Sequence, residues 1–169
     1  MAKQSAGILL YRLTGNELEV LLVHPGGPFW AKKDKGAWSV PKGEFTDDEE
    51  PFVAAKREFG EELGCSAPNG EYIDLGSIKQ SGGKMVYVWA VQGDLDPATV
   101  KSNTFRIEWP PKSGQEQAFP EVDKALWVTL DEAEVKLLKG QLPFLGTLIE
   151  KIGYVPKKSP QLPEQASLF

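Results

Sequence analysis

Apolar residues along the chain fall into short runs separated by turn formers, which is the pattern of β-strands. The run at 84–91 alternates, so that Tyr87 and Trp89 share one face while Val86 and Val88 share the other. The run at 18–24 is apolar on both faces, as expected of a central strand. The predicted strands are 5–13, 18–24, 38–43, 71–80, 84–91, 105–109 and 125–128.

Residues 48–63 instead follow the helical period. At about 100° per residue, with Arg57 at zero, Glu61, Glu58 and Glu62 fall near 40°, 100° and 140°. The opposite face carries Phe52, Phe59 and Leu63. We therefore expect a helix with a buried apolar face and an acidic face. Thr46, Asp47 and Asp48 offer N-cap oxygens, Glu49 and Glu50 suit the first turn, and Gly64 supplies a left-handed stop.

The second half of the chain is less regular. Residues 93–120 contain several Pro and Gly breakers, and we expect a long functional loop there that covers a substrate. Thr129 and Glu132 have capping-box spacing, which predicts a helix to about residue 139. An amphipathic stretch follows at 143–152. We expect one domain over 1–153 and an extended or mobile Pro-containing tail over 154–169.

Composition and charge narrow the possible partners. With 169 residues and 41% hydrophobic content, the chain suffices for one compact core. A net charge of −5 argues against a nucleic-acid partner. Cys65 is the only cysteine, so a reducing compartment is expected, and no stretch reads as a signal peptide or a membrane span. The cytoplasm is the expected location.

The acidic helix face has a chemical explanation. Three carboxylates within two turns repel one another unless a cation binds them or one keeps its proton. Oxygen-only ligands suit Mg²⁺ or Mn²⁺. The alternative is a solvated helix face, but such faces normally interleave basic residues, and this one has only Arg57 at its edge.

The spacing of these residues resembles the signature of the Nudix hydrolases. Its elements are Gly43, Glu49, Arg57-Glu58, the apolar Phe59, Glu61-Glu62 and Gly64, and Cys65 stands where the family usually has an aliphatic residue. The resemblance implies an α/β fold, the Nudix α/β/α sandwich with a mixed sheet and a catalytic loop-helix-loop. It also implies hydrolysis of a diphosphate linkage, with Mg²⁺ or Mn²⁺ held by Glu58, Glu61, Glu62 and the carbonyl of Lys42.

The same resemblance assigns supporting roles. Glu58 is the first choice for the general base, and Glu121, in a Pro-Glu-x-Asp run, is the rival, with Glu116 in reserve. Arg57 is expected to orient Glu58 and offset carboxylate repulsion, with Glu49 behind it. Gly43 and Gly64 support the loop and the helix end. Asp123 is expected to orient the chain rather than perform chemistry.

The runs WSVPKGE and KMVYVWA are similar to those of Nudix enzymes acting on dinucleoside polyphosphates. By that likeness Lys42 meets a phosphate, Tyr87 stacks on a base or packs in the core, and Lys84 and Trp38 complete the substrate site. The expected ligand is a small nucleotide, either a dinucleoside polyphosphate or a nucleoside triphosphate. ADP-ribose, an inositol pyrophosphate and a non-catalytic nucleotide sensor remain alternatives, as do a monomer and a homodimer. His24, the only histidine, cannot form a histidine metal site, and contact with substrate is the less favoured of its two roles.

Overall fold

The computed structural model describes residues 3–156. Within that range, eight strands and three α-helices follow one another along the chain. They are β1 (Gln4–Thr14), β2 (Glu17–Pro25), β3 (Lys42–Phe45), α1 (Pro51–Leu63), β4 (Ile73–Lys79), β5 (Met85–Gln92), β6 (Thr104–Glu108), β7 (Glu116–Pro120), β8 (Val122–Thr129), α2 (Leu130–Lys136) and α3 (Leu142–Ile152).

Six strands form one mixed sheet. Its order is β4-β5-β1-β2-β8, and β3 pairs with the first part of β1. β1 and β5 run parallel, from Gln4 opposite Met85 to Tyr11 opposite Gln92, whereas the other pairs are antiparallel. The predicted mixed sheet is confirmed. β6 and β7 form a separate antiparallel hairpin.

Helices pack on both faces of the sheet because its central strands are apolar on both sides. On one face, Leu9, Leu22 and Val88 pack with Phe144 and Leu148 of α3. On the other, residues of β1 and β2 pack with Ala55, Phe59 and Leu63 of α1. The α/β/α arrangement predicted from the sequence is therefore confirmed.

The start of α1 differs from the prediction. The helix begins at Pro51, not at residue 48, and Glu50 is its N-cap without a side-chain cap hydrogen bond. Pro51 fixes a helix-compatible φ and lacks an N–H that needs a partner, so it suits the first position. Glu49 precedes the helix, which frees its carboxylate for another contact. The end is as predicted: Gly64 is left-handed (φ 77°), and its N–H donates to the Gly60 carbonyl at 2.8 Å.

The bounds of other elements also differ from the predicted ones. The predicted strand at 38–43 begins only at Lys42, because Trp38 and Ser39 form single bridges to Leu137 and Val23. The irregular region holds the hairpin β6–β7, and its second strand was missed because its side chains are mostly exposed and lack apolar alternation. The capping box of Thr129 and Glu132 is present, but α2 ends at Lys136.

Two further expectations concern the chain as a whole. The proposed tail lies mostly outside the described residues, which stop at 156. Among the helices described, none has the length and hydropathy needed to cross a membrane.

Candidate active site

β3 and α1 bring the loop against the acidic helix face. The backbone N–H of Lys42, at the start of β3, donates to Glu62 Oε1 at 3.2 Å. The segment entering β3 is held by the fully buried side chain of Gln141, whose Oε1 accepts the Val40 N–H (3.0 Å) and whose Nε2 donates to Ser39 Oγ (3.1 Å). These contacts fix the loop relative to the carboxylates.

Arg57 joins three carboxylates with one guanidinium group. Its Nε and Nη2 donate to the two oxygens of Glu49, both at 2.8 Å, and its Nη1 donates to Glu58 (2.6 Å) and Glu61 (3.0 Å). The hydrogen bonds to Glu49, with those to Glu61 and Glu58, raise the pKa of Arg57 and keep it charged, while they lower the pKa of Glu49. Arg57 therefore orients Glu58 and offsets the repulsion between Glu58 and Glu61.

Gly43 makes room for the carboxylate of Glu58. The Glu58 residue is only 8% exposed. A Cβ atom at position 43 would lie 1.8 Å from Glu58 Oε1 and 2.0 Å from its Cδ. Only glycine allows the β3 backbone and this carboxylate to approach so closely.

Burial perturbs the titration of the cluster. It raises the pKa of Glu62 to about 8, opposed by the charge of Lys42 and by its N–H, and reinforced by the charges of Glu58 and Glu121. Burial also raises the pKa of Glu58 and of Glu121, and in each case the charge of Glu61 adds to it. Burial, with the charge of Lys84, lowers the pKa of Lys42. Glu58, Glu62 and Glu121 thus each lie close enough to another carboxylate for its charge to disfavour their ionisation.

A cavity of about 180 Å³ opens beside these groups. Its polar wall consists of Ser39, Lys42, Glu62 and Glu121. Its apolar wall consists of Val23, Pro25, Trp30, Ala37, Val122 and Leu138. A mainly apolar cavity with a few converging polar groups is the usual form of a small-molecule site. A larger groove of about 630 Å³ runs along Phe52, Lys56, Gly60 and Tyr72, but the carboxylates of Glu58, Glu62 and Glu121 do not line it.

The donor set fits a hard divalent cation. Glu58, Glu61, Glu62 and Glu121 supply only oxygen donors, and burial, with the charges of neighbouring carboxylates, raises the pKa values of Glu58, Glu62 and Glu121. Within residues 3–156, no three acidic, His or Cys side chains already converge on one point as a metal cage. Arg57 holds two of the carboxylates instead, so binding an ion requires these side chains to rearrange.

The other predicted residues lie in varied places. Lys84 Nζ is 3.6 Å from Glu44 Oε2, and the positive charge of Lys84 contributes to the lowered pKa of Lys42. Tyr87 packs edge-to-face on Phe45 and donates to Gln4, away from the cavity wall. Glu116, on the hairpin, pairs with Arg106 at 3.2 Å. The strand β7 separates Glu116 from Glu121 by five residues of extended chain. We therefore assign Glu116 no role in the active site.

Trp38 and His24 are buried together rather than exposed to substrate. Trp38 is 4% exposed and donates to Asp34 Oδ1 at 2.8 Å, and its ring meets the His24 ring edge-on at 5.1 Å. His24 is 1% exposed, and its Nδ1 lies 2.8 Å from Asp123 Oδ1. Asp123 thus holds the His24 ring in place, and its lack of a chemical role stays a prediction. We leave Trp38 and His24 out of the substrate site.

Trp30 in the cavity wall was not assigned by sequence reasoning. The only signal was an aromatic pair, Phe29-Trp30, in an otherwise polar loop.

The buried carboxyl of Glu62 predicts how stability depends on pH in metal-free protein. The folded chain keeps the Glu62 proton up to about pH 8, whereas the unfolded chain loses it near 4.5. The free energy of unfolding therefore falls as pH rises through this window. Glu62→Gln removes this loss, so with EDTA its Tm is expected to exceed that of the wild type by roughly 10–20 °C at pH 9 and to converge with it near pH 5.

The measurement is a thermal melt of both proteins at each pH, with Glu134→Gln, an exposed residue of α2, as the control. The raised pKa values of Glu58 and Glu121 also make the free energy of unfolding fall with rising pH, in both proteins. The effect of Glu62 is therefore the difference between the two plots of Tm against pH. Parallel curves would contradict the assignment to Glu62.

Comparison with known proteins identifies the family. The sequence matches the NUDIX domain over residues 1–150. Comparison with curated protein sequences finds no significant match.

Solved structures share the fold. The NUDIX domain of Shewanella oneidensis NrtR complexed with ADP ribose has a TM-score of 0.61 at 17% identity, covering 90% of this chain and 89% of that one. A C. elegans Ap4A hydrolase binary complex has a TM-score of 0.59 at 18% identity, covering 90% and 98%. A MutT/nudix family protein from Enterococcus faecalis has a TM-score of 0.63 at 13% identity, covering 99% and 68%. With its domain match and its fold, the chain belongs to the Nudix family, as a hydrolase that acts on diphosphate linkages.

Proposed function

We propose that this enzyme hydrolyses a diphosphate linkage in a nucleoside polyphosphate, with dinucleoside polyphosphates as the first substrate class. The observation that carries the proposal is the cluster of Glu58, Glu61, Glu62 and Glu121 beside a cavity that Lys42 also lines. Such a cluster needs added positive charge, and a polyphosphate brought with divalent ions meets that need.

Mg²⁺ or Mn²⁺ is the proposed cofactor. Glu58, Glu61, Glu62 and the carbonyl of Lys42 are the proposed ligands, with Glu121 as a further donor. When bound, the ion neutralises phosphate oxygens and lowers the pKa of water at the site.

The chain's own residues perform the remaining tasks. Arg57, fixed by Glu49, keeps Glu58 oriented and remains charged throughout. Lys42 and Lys84 bring positive charge toward the phosphates. The proton of the attacking water passes to a carboxylate, and the two candidates differ in setting. Glu58 is enclosed between Gly43 and Arg57, whereas Glu121 lines the cavity.

The substrate class rests on two supports. WSVPKGE and KMVYVWA are similar to runs in dinucleoside polyphosphate hydrolases, and a C. elegans Ap4A hydrolase shares the fold. ADP-ribose is the second candidate, because the NUDIX domain of NrtR shares the fold and was crystallised with it. The single cysteine, Cys65, is consistent with a reducing compartment, and we propose the cytoplasm.

The test is a panel of substrates with Mg²⁺, in which products are separated by chromatography. The panel contains diadenosine tetraphosphate, deoxynucleoside triphosphates and ADP-ribose, and each is incubated with the wild type, Glu61→Gln and Glu134→Gln. We expect the highest kcat/KM for diadenosine tetraphosphate, with loss in Glu61→Gln alone. Preference for ADP-ribose would replace the proposed substrate class. Tight binding without turnover of any compound would indicate a sensor and contradict hydrolysis.

A further inference from the structure

The apolar wall of the cavity contains one aromatic residue, Trp30, which has no role in the mechanism proposed above. Trp30 lines the same cavity as Lys42, Glu62 and Glu121, and its neighbours in the wall are aliphatic. The indole is partly buried against the core cluster of Leu22, Trp38 and Leu137. A flat apolar face next to phosphate-binding chemistry is the arrangement that a nucleotide requires, since its base is flat and its phosphates are charged.

The loop that carries Trp30 is anchored at several points. The Lys33 N–H donates to the Trp30 carbonyl at 2.9 Å, and the Nε2–H of the buried His24 donates to the Lys33 carbonyl at 2.6 Å. The Gly26 N–H donates to the Glu121 carbonyl at 3.0 Å. A Cβ at Gly26 would lie 1.9 Å from the Pro120 carbonyl oxygen, so the loop and the chain before Glu121 pack without a gap. These contacts fix the position of Trp30 relative to Glu121.

A cation accompanies the ring. Lys33 Nζ lies 5.2 Å from the Trp30 ring centroid. The ammonium covers this π-face, so a base that stacks there displaces Lys33, and the ammonium can then follow the ligand's phosphates. The competing aromatic residue, Tyr87, lies outside the cavity wall and is held by Phe45 and Gln4.

The volume of the cavity limits how much of the ligand can enter it. The cavity of about 180 Å³ is smaller than the roughly 300–1,000 Å³ of a full ligand pocket. It therefore accepts one part of a nucleotide, and its mainly apolar lining selects the base over the ribose or a phosphate.

We propose that Trp30 is a specificity residue that stacks on one aromatic base of the nucleotide substrate, with the phosphates directed toward Lys42 and the carboxylates. The inference rests on the proposed function. It names the base-binding wall of that same site.

Kinetics of Trp30 variants test the inference. Trp30→Ala is expected to raise KM for diadenosine tetraphosphate about 5- to 100-fold with little change in kcat, and Trp30→Phe is expected to restore most of the affinity. The inhibition constant of a base-free diphosphate, 5-phosphoribosyl 1-diphosphate, should be the same in the wild type and in Trp30→Ala. The control is Phe29→Ala, the exposed neighbour that contacts Trp109 instead of the cavity. A KM rise in Tyr87→Leu with none in Trp30→Ala would assign the base to Tyr87 and overturn the inference.

A binding measurement separates this inference from the proposed function. Addition of AMP is expected to quench the tryptophan fluorescence of the wild type and of Phe29→Ala, but much less that of Trp30→Phe, although the chain has five tryptophans. Quenching that depends on Trp30, without hydrolysis of any panel compound, would leave the inference standing and remove the proposed function. Hydrolysis with identical quenching in wild type and Trp30→Phe would do the reverse.

Discussion

Replacement of Glu58 by Gln is expected to lower kcat by at least about 100-fold while the protein stays folded. The substitution keeps the shape of the side chain but removes its charge, so both proposed roles, ion ligand and proton acceptor, are lost together. Glu58 is nearly buried and receives a hydrogen bond from Arg57 at 2.6 Å. The amide oxygen of the glutamine can still accept this bond, so the protein stays folded while the negative charge is lost. Initial rates with diadenosine tetraphosphate at saturating Mg²⁺ provide the measurement.

The Mg²⁺ dependence of the rate distinguishes the two roles. If Glu58 is mainly a ligand, Glu58→Gln needs a higher Mg²⁺ concentration for half-maximal rate. If Glu121 is the proton acceptor, Glu121→Gln lowers kcat without changing that concentration. Glu134→Gln, at an exposed position of α2, serves as the matched control for both. Wild-type kcat in Glu58→Gln would contradict the placement of this residue in the active site.

Gly43→Ala is expected to cause a loss of activity as large as that of Glu58→Gln, although it removes no charged group. The new methyl would lie 1.8 Å from Glu58 Oε1 and 2.7 Å from its Cγ. Glu58 must therefore leave its place against β3, and its contact with Arg57 is broken or strained. The Glu58 carboxyl is then no longer held beside Arg57, so we expect kcat to fall by at least about 100-fold and Tm to fall as well.

The control for Gly43→Ala is Gly146→Ala on α3. An added Cβ at Gly146 meets nothing within 4 Å, and alanine favours the helix by about 0.5–1 kcal/mol. This variant is expected to keep full activity with equal or higher Tm. Full activity in Gly43→Ala would show that Glu58 does not need the position observed here.

The site was predictable from the sequence to the extent that it depends on local spacing. Glu58, Glu61 and Glu62 share a helix face at fixed angles, so their grouping follows from helical geometry alone. The end of α1 could also be predicted from local sequence, because Gly64 supplies the left-handed residue that the helix end needs. The start of the helix could not be predicted in the same way, because Thr46, Asp47 and Asp48 all suit an N-cap. The helix begins instead at Pro51.

Tertiary contacts account for what the sequence did not predict. Trp30 reaches the cavity because its loop is held by two contacts, one from His24 to the nearby Lys33 carbonyl and one from Gly26 to the Glu121 carbonyl, far away in the sequence. The β7 strand has exposed side chains and therefore no apolar pattern to mark it. The burial of Trp38, which the sequence placed in the substrate site, results from packing against His24 and from its hydrogen bond to Asp34.

The most direct test of the central claim is a titration with Mn²⁺, followed by electron paramagnetic resonance, of the wild type, Glu62→Gln and Glu134→Gln. If the acidic face of α1 binds a divalent ion, the wild type and Glu134→Gln will bind Mn²⁺ with the same affinity, and Glu62→Gln will bind it at least about 10-fold more weakly. Equal affinity in all three proteins, or none in the wild type, would contradict the account of the carboxylate cluster as the metal site.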